Sequence, residues 1–459
     1  MEYRVDHDSL GEVKVPADAY WGAQTQRAVE NFPISGLHLQ RSFIRAQAVV
    51  KRACAQANAE LGQLDEKIAQ AIVQAADEVL SGKLLDQFVV DVYQAGAGTS
   101  QNMNANEVLA NRAIELLGGQ RGDYRLVHPN DHVNRGQSTN DTIPTAMHIA
   151  ALQEITQELL PALAELQEAL QAKADEFDEI IKSGRTHLQD AVPMRLGQEF
   201  GAYARMIELG QARLERAADD LRELAIGGNA IGTGINTPEG YAERCVQQIN
   251  EVTQLDFRPA ENRFEAIQNR DAAVNVSGVL RTLTTSLTKI ADDLRLLSSG
   301  PKTGLGEIQL PTVQPGSSIM PGKVNPVMAE MLNMVCFQVL GHDLTVLRAG
   351  QAGQLELNVM MPVIAYNLLQ EIEILTSGIR AFTVRCVRGI KANQATCRNY
   401  AESTPQVATA LSPYIGYEKA AELVKEALRT NRPIREVVAE KKLLSAEKLE
   451  QALDLHRLT

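Results

Sequence analysis

The chain has 459 residues, 44% hydrophobic, 22% charged and only 4% aromatic, with a formal net charge of −12. That length supports a large core and two or three domains of an ordinary globular protein. The acidic balance argues against a nucleic-acid binder, but not against an anionic substrate, because a local group of donors acts within a screening length of ~10 Å.

The N-terminal residues MEYRVDHDSLGEV are charged and carry no signal-peptide apolar stretch. No run of about eighteen apolar residues occurs, so no membrane span is expected. Five scattered cysteines (Cys54, Cys245, Cys336, Cys386, Cys397) form no CxxC. They read as reduced, buried thiols of a cytoplasmic protein.

In chain order, YRVDHDSLGEVKVP predicts a short hairpin with Gly11 near the turn. Arg41 to Ser81 is helical and Ala-rich. Gly96, Gly98, Gly118, Gly119 and Gly122 mark loops. The first chemical cluster is Gly96-Ala97-Gly98-Thr99-Ser100, with Asn102, Asn104 and Asn106, ahead of a helical run from Glu107 to Leu117. Small residues and hydroxyls before a helix can aim N–H groups at an anion, although, taken alone, they are better explained by a plain capped loop. The second cluster is His128-Pro129-Asn130-Asp131-His132-Val133-Asn134, then Gln137 to Asp141. One of Ser138, Thr139, Asn140 or Asp141 suffices as an N-cap, and the surplus points to ligand contact.

The middle of the chain predicts a helix from Pro144 to Ile181, about 57 Å long, with a kink at Pro161. The third cluster, Ser183 to Asp190, places His187 beside Arg185 and Thr186 in a Gly-containing turn. His187 is the strongest proton-handling candidate, with His132 as its rival. Further helices are predicted from Gly197 to Leu224, Asp271 to Leu297, Val327 to Leu347 and Leu355 to Val387. Five long helices describe a bundle. Met331, Leu332, Met334, Val335, Phe337, Val339 and Leu340 surround one of them, and such a helix needs burial on all sides. One chain can hardly supply that, so the bundle predicts homo-oligomerisation.

The fourth cluster lies between two of those helices, PTVQPGSSIMPGKVNP from Pro311 to Pro326. A loop this long is usually functional or disordered. Ile319, Met320 and Val324 offer apolar anchors against disorder. Ser317 and Ser318 stand near Lys323 and Asn325, with Glu330 in the next helix. A serine base needs a positive charge or an N–H array to hold it as alkoxide. No GxSxG elbow, GxGxxG after a strand, Walker A or HExxH is present, so hydrolase, dinucleotide and metal chemistry lack support. The last seventy residues carry shorter helical segments (Tyr417 to Arg429, Ile434 to Lys441, Ser445 to Leu453), with Ser445 suited to N-capping. The expected division is 1–138, mostly helical; 139–388, the long-helix bundle; and 389–459, a small helical domain.

GSSIMPGKVNP resembles the signature of the fumarase/aspartase superfamily of helical lyases. The resemblance spans essentially the whole chain: YWGAQTQRAVENF, NMNANEVLANRA, HPNDHVN, QSTND, GRTHLQD and ELNVM occur in order. It implies a mainly α fold and a homotetramer with a twenty-helix core, each active site built from three subunits. It also implies anti-elimination from a small dicarboxylate to a fumarate-like product, with no organic cofactor and no metal. By resemblance Ser317 is the base, and Lys323 and Asn325 hold one carboxylate. Thr99 and neighbouring Ser100, Ser138, Thr139 and Ser318 surround the other. Thr186, His187 and Asn140 complete the pocket, and Glu330 pairs with His187. His128, Asn130 and Asp131 fall where relatives show a second anion site.

GAGTS, QSTND, Ala191-Val192-Pro193, NPVM after Lys323 and AGQLELNVM resemble aspartate ammonia-lyases; Phe264-Glu265-Ala266 and HPND resemble class II fumarate hydratases. Met361 before Pro362 departs from both. The balance favours ammonia as leaving group over water. A silent structural relative is a third possibility, and the joint presence of Ser317, Lys323, Asn325 and His187 argues against it.

Overall fold

The computed structural model describes residues 2–459. Those residues are mainly α-helical, as the composition predicts. The predicted hairpin pairs β1 (Tyr3–Asp8) antiparallel with β2 (Gly11–Pro16). Helices α1 (Ala23–Asn31), α2 (Arg41–Glu60), α3 (Glu66–Leu80), α4 (Thr99–Leu116), α5 (Thr139–Glu154) and α6 (Leu160–Glu176) follow. A second hairpin joins β3 (Ile181–Thr186) to β4 (Gln189–Arg195). Then come α7 (Leu196–Ala218), α8 (Tyr241–Thr253), α9 (Arg263–Gln268), α10 (Asp271–Leu297), α11 (Val327–Gly350) and α12 (Met361–Arg385). Five short helices end the chain: α13 (Gln394–Ser403), α14 (Ser412–Ile415), α15 (Tyr417–Thr430), α16 (Ile434–Lys441) and α17 (Ala446–Ala452). No described helix is long and apolar enough to cross a membrane.

Two compact units result. The first comprises residues 2–161, 212–284 and 337–376, and the second 162–211, 285–336 and 377–459. Four of the division points fall inside α7, α10, α11 and α12 and a fifth just inside α6, because these long helices carry the chain from one unit to the other.

The predicted helix from Pro144 to Ile181 is corrected at both ends. α5 starts at Thr139, where Ser138 caps it. A single π turn, Ile155–Leu159, precedes Pro161, whose missing N–H breaks the regular ladder. α6 stops at Glu176 because the returning arm of the second hairpin takes the next carbonyls. Gly197 N–H donates to Phe177 O at 3.0 Å and Leu196 N–H to Ile180 O at 2.7 Å. The apolar rhythm itself was sound, since Leu152, Ile155, Leu159, Leu163, Leu166 and Leu170 are all buried.

α4 begins eight residues before the predicted Glu107. Its buried Asn102, Asn104 and Asn106 hide the helical pattern. Asn104 is bonded at both ends of its amide, donating to Gln87 O at 2.9 Å and accepting from Val89 N–H at 2.9 Å. α10 occupies the predicted residues, with Val276, Leu280, Leu283, Leu287, Ile290 and Leu294 buried. α12 starts at Met361, six residues after Leu355. In α11, Leu332 and Val339 are buried, while Met334 and Phe337 are 68% and 58% exposed. Ser445 accepts a hydrogen bond from Lys448 N–H as the N-cap of α17. All five cysteines are buried and free.

His148 on α5 sits 2.9 Å through Nδ1 from Glu223 O. Burial, and then the nearby Arg270 charge, lower its pKa to about 4. The folded pKa lies below the unfolded value of about 6.5. The neutral ring therefore contributes stability that is fully present above pH 6.5 and is lost as pH falls from there to about 4. The contribution is at most about 3 kcal/mol. In thermal melts, His148→Gln should lose less stability than wild type across that window; parallel curves would refute the assignment.

Candidate active site

In the first unit, the segment Gly96–Gly98 turns sharply into α4. Ala97 and Gly98 take φ of 62° and 84°, and a Cβ on Gly98 would meet the Ile143 side chain at 3.1–3.3 Å. Glycine is required there by both backbone and space. Ala97 N–H donates to Val359 O at 2.7 Å, fixing the turn. Thr99 is thus the first residue of α4, exposed at a helix N-terminus where an anion is favoured. Ser100 behind it is buried.

The second cluster opens α5 with a capping box. Ser138 Oγ accepts from Asn140 N–H at 3.2 Å, and Asp141 Oδ1 accepts from Ser138 N–H at 3.0 Å. Asp141 Oδ2 also accepts from Gly227 and Asn229 N–H at 3.1 and 2.9 Å. Burial lifts the Asp141 pKa to about 7. Asn140 Nδ2 donates to Ala230 O at 2.8 Å. Thr139 Oγ1 accepts from Asn102 Nδ2 at 3.1 Å.

Beneath these residues lies Lys51, which is fully buried. Its ammonium donates to Asn134 Oδ1 and Gln137 Oε1, both at 2.9 Å. Burial lowers its pKa to about 7. The sequence reading missed Lys51, because one lysine in an Ala-rich helical run reads as a solvated face.

Asn130 and Asp131 lie in one π turn, Pro129–Val133, and His128 is its N-cap. His128 Nδ1 accepts from Asn130 and Asp131 N–H, both at 3.1 Å. The neutral ring therefore carries its proton on Nε2 and can donate from there. His128 and Asn130 line a cavity of about 560 Å³ shared with Asp8, Glu107, Asp123 and Arg125.

In the second unit, β3 and β4 meet in a two-residue turn, His187-Leu188, with φ of 56° and 58°. The turn therefore does not contain Gly184, which lies at an irregularity between Ser183 and Arg185. Thr186 and His187 are exposed at its tip. Its base is held by Glu307, which is fully buried. Lys182 Nζ lies 3.1 Å from Glu307 Oε2 and Arg185 Nη1 lies 3.0 Å from Oε1. Glu307 is the second residue the sequence reading missed.

The loop from Pro311 to Pro326 folds on itself. Gly316 N–H donates to Lys323 O at 2.9 Å, and Asn325 Nδ2 donates to Gly316 O at 2.6 Å. A Cβ on Gly316 would stand 2.3 Å from Lys323 O, so only glycine permits this closure. Ser317 Oγ accepts from Ile319 N–H at 3.2 Å and Met320 N–H at 2.9 Å. Ser318 and Lys323 are exposed. Ile319, Met320 and Val324 are exposed rather than anchored; the backbone closure orders the loop in their place. Among the described residues no hydrogen bond or ion pair joins His187 to Glu330 within this chain. The first unit thus assembles Thr99, Ser138, Thr139 and Asn140. The second carries Thr186, His187, Ser317, Ser318, Lys323, Asn325 and Glu330.

A family model described as Lyase matches residues 11–341, and one described as Fumarase C C-terminus matches residues 407–459. The chain is 49% identical over 458 residues to the aspartate ammonia-lyase of Bacillus subtilis, covering 100% of this chain and 96% of that one. It is 54% identical over 458 residues to the class II fumarate hydratase of Halobacterium salinarum, covering 100% and 97%. Among solved structures it is similar to a fumarate lyase:delta crystallin from Brucella melitensis bound to cobalt (TM-score 0.96, 51% identity, 99% of each chain). It is also similar to a recombinant class II fumarase from Schistosoma mansoni (TM-score 0.97, 40% identity, 100% and 99%). Fold, site and relatives together define a helical lyase. The chain belongs to the fumarase/aspartase superfamily.

Proposed function

We propose that the chain catalyses the reversible anti-elimination of ammonia from L-aspartate to give fumarate. The observation that carries the chemistry is the pair of backbone N–H groups, from Ile319 and Met320, aimed at Ser317 Oγ. Hydrogen bonds to an anionic oxygen favour its ionised form. Ser317 Oγ, as alkoxide, takes a proton from the carbon next to one carboxylate. The C–H electron pair moves into that carboxylate and gives an aci-carboxylate. Lys323 and Asn325 offset its added charge, a contribution of roughly 3–4 kcal/mol per well-placed donor. The pair then returns to form the C=C bond as the C–N bond breaks and ammonia leaves.

Thr99, Ser100, Ser138, Thr139 and Ser318 hold the other carboxylate in this reading. Asn140, Thr186 and His187 close the pocket, with Glu330 supporting His187 from another protomer. The active assembly is a homotetramer whose sites each draw on three protomers. The exposed apolar residues Met334, Phe337, Leu340 and Leu344 along α11 support such an assembly. GAGTS, QSTND and AGQLELNVM support ammonia as leaving group.

A second reading, a class II fumarate hydratase using the same residues with water as leaving group, is favoured by Phe264-Glu265-Ala266 and HPND. Met361, fully buried and apolar, departs from both groups and favours neither. Purified protein offered L-aspartate and L-malate separately, with fumarate followed by absorbance, separates the two. Fumarate from aspartate supports the proposal, and fumarate from malate alone overturns it in favour of the second reading.

A further inference from the structure

Lys51 is buried with no carboxylate in hydrogen-bond reach. Its ammonium has only donors, so the atoms facing it must be acceptors, here Asn134 Oδ1 and Gln137 Oε1. That fixes which end of the Asn134 amide points at the next residue. Asn102 must present its donor to Asn134 Oδ1, and Nδ2 stands there at 3.2 Å. The same Nδ2 donates to Thr139 Oγ1 at 3.1 Å. Asn102 Oδ1 is turned the other way, 3.4 Å from Thr142 Oγ1, whose proton goes chiefly to Ser138 O at 2.9 Å. Asn134 Nδ2 donates to Gln137 O at 3.2 Å, which holds the other half of that amide. Thr139 Oγ1 is therefore an acceptor toward the protein, and its single proton is left to donate away from Asn102.

We infer that Lys51 is a positioning residue that sets the donor sense of the Thr139 hydroxyl through Asn134 and Asn102, so that Thr139 offers its proton to a substrate carboxylate. The inference rests on the reading that Thr139 touches that carboxylate. Without Lys51, Gln137 Oε1 is left free to accept from Asn134 Nδ2 in place of Gln137 O, and both amides can turn over together. Asn102 Oδ1 then faces Thr139, the hydroxyl spends its proton on the protein, and its lone pairs meet the substrate anion.

A double-variant cycle tests this on the intact protein, with steady-state kinetics on whichever of L-aspartate or L-malate is turned over. Lys51→Met removes the donor without leaving a buried charge. It is expected to raise KM about tenfold with kcat within about threefold. Lys51→Arg, which keeps the donor, is expected to stay within about threefold of wild-type KM. Thr139→Val is expected to raise KM at least as much as Lys51→Met, and adding Lys51→Met to it should change KM no further. Should Lys51→Met fail to fold, Asn102→Leu removes the middle link and is expected to show the same KM effect and the same non-additivity. If Thr139→Val leaves KM unchanged, the reading of Thr139 as a substrate contact fails. If Thr139→Val raises KM but Lys51→Met does not, or if the two effects multiply, the Lys51 inference is overturned while the Thr139 contact stands.

Discussion

Ser317→Ala should lower kcat by about 10³-fold, within the 10²–10⁴ range of a positioned general base, with KM changed by less than about threefold. The split follows from the geometry. The Ile319 and Met320 N–H groups that point at Ser317 Oγ belong to the backbone and survive the substitution. So does the closure of Gly316 on Lys323 and Asn325. The loop keeps its shape and its cation while the proton acceptor is gone. On the proposed reading, in which Lys323, Thr99, Ser138 and Thr139 bind the substrate, binding persists. Steady-state kinetics on the better of the two substrates reads this directly. Retention of more than about a tenth of wild-type kcat would remove Ser317 from the role of base.

Glu307→Gln should destabilise the protein by about 3–5 kcal/mol, the usual cost of removing one partner from a buried ion pair. Glu307 is fully buried between Lys182 and Arg185. Lys182 keeps a second carboxylate, Glu199, at 2.7 Å, so the stranded charge is chiefly that of Arg185. Both cations sit on β3, which ends at Thr186 and leads into His187. A fall in kcat/KM is therefore expected alongside the fall in melting temperature. Removing both charges together, in the double variant Arg185→Leu with Glu307→Leu, should cost less stability than Glu307→Gln alone, because no charge is then left uncompensated. A Glu307→Gln protein as stable as wild type would show that Glu307 does not hold the hairpin.

Much of the fold was legible because helices write their buried face at steps of three and four. Asp271–Leu297 and Ile434–Lys441 were bounded to the residue on that signal. It misled at Ile180 and Ile181, which continue the rhythm of α6 although β4 claims their backbone. It also failed in α4, where buried asparagines replace the apolar face. The candidate site residues stand out in the sequence as unusual densities of hydroxyls, amides and one lysine in Gly- and Pro-rich segments. Lys51 and Glu307 were not, since a single charged residue in a helical or loop run looks the same whether solvated or buried. Ile319 and Met320 show the converse limit: an apolar side chain in sequence does not say which surface covers it.

The most direct test of the central claim is the stereochemistry of addition in D₂O. Purified protein is given fumarate with ammonium, and separately fumarate alone, and the product is examined by proton NMR. One base acting from one face of a bound dicarboxylate predicts a single deuterium at C3 and a single diastereomer, with deuterium anti to the new nitrogen, or to oxygen if water adds. A mixture of diastereomers, two deuteriums at C3, or no consumption of fumarate in either arm would contradict it.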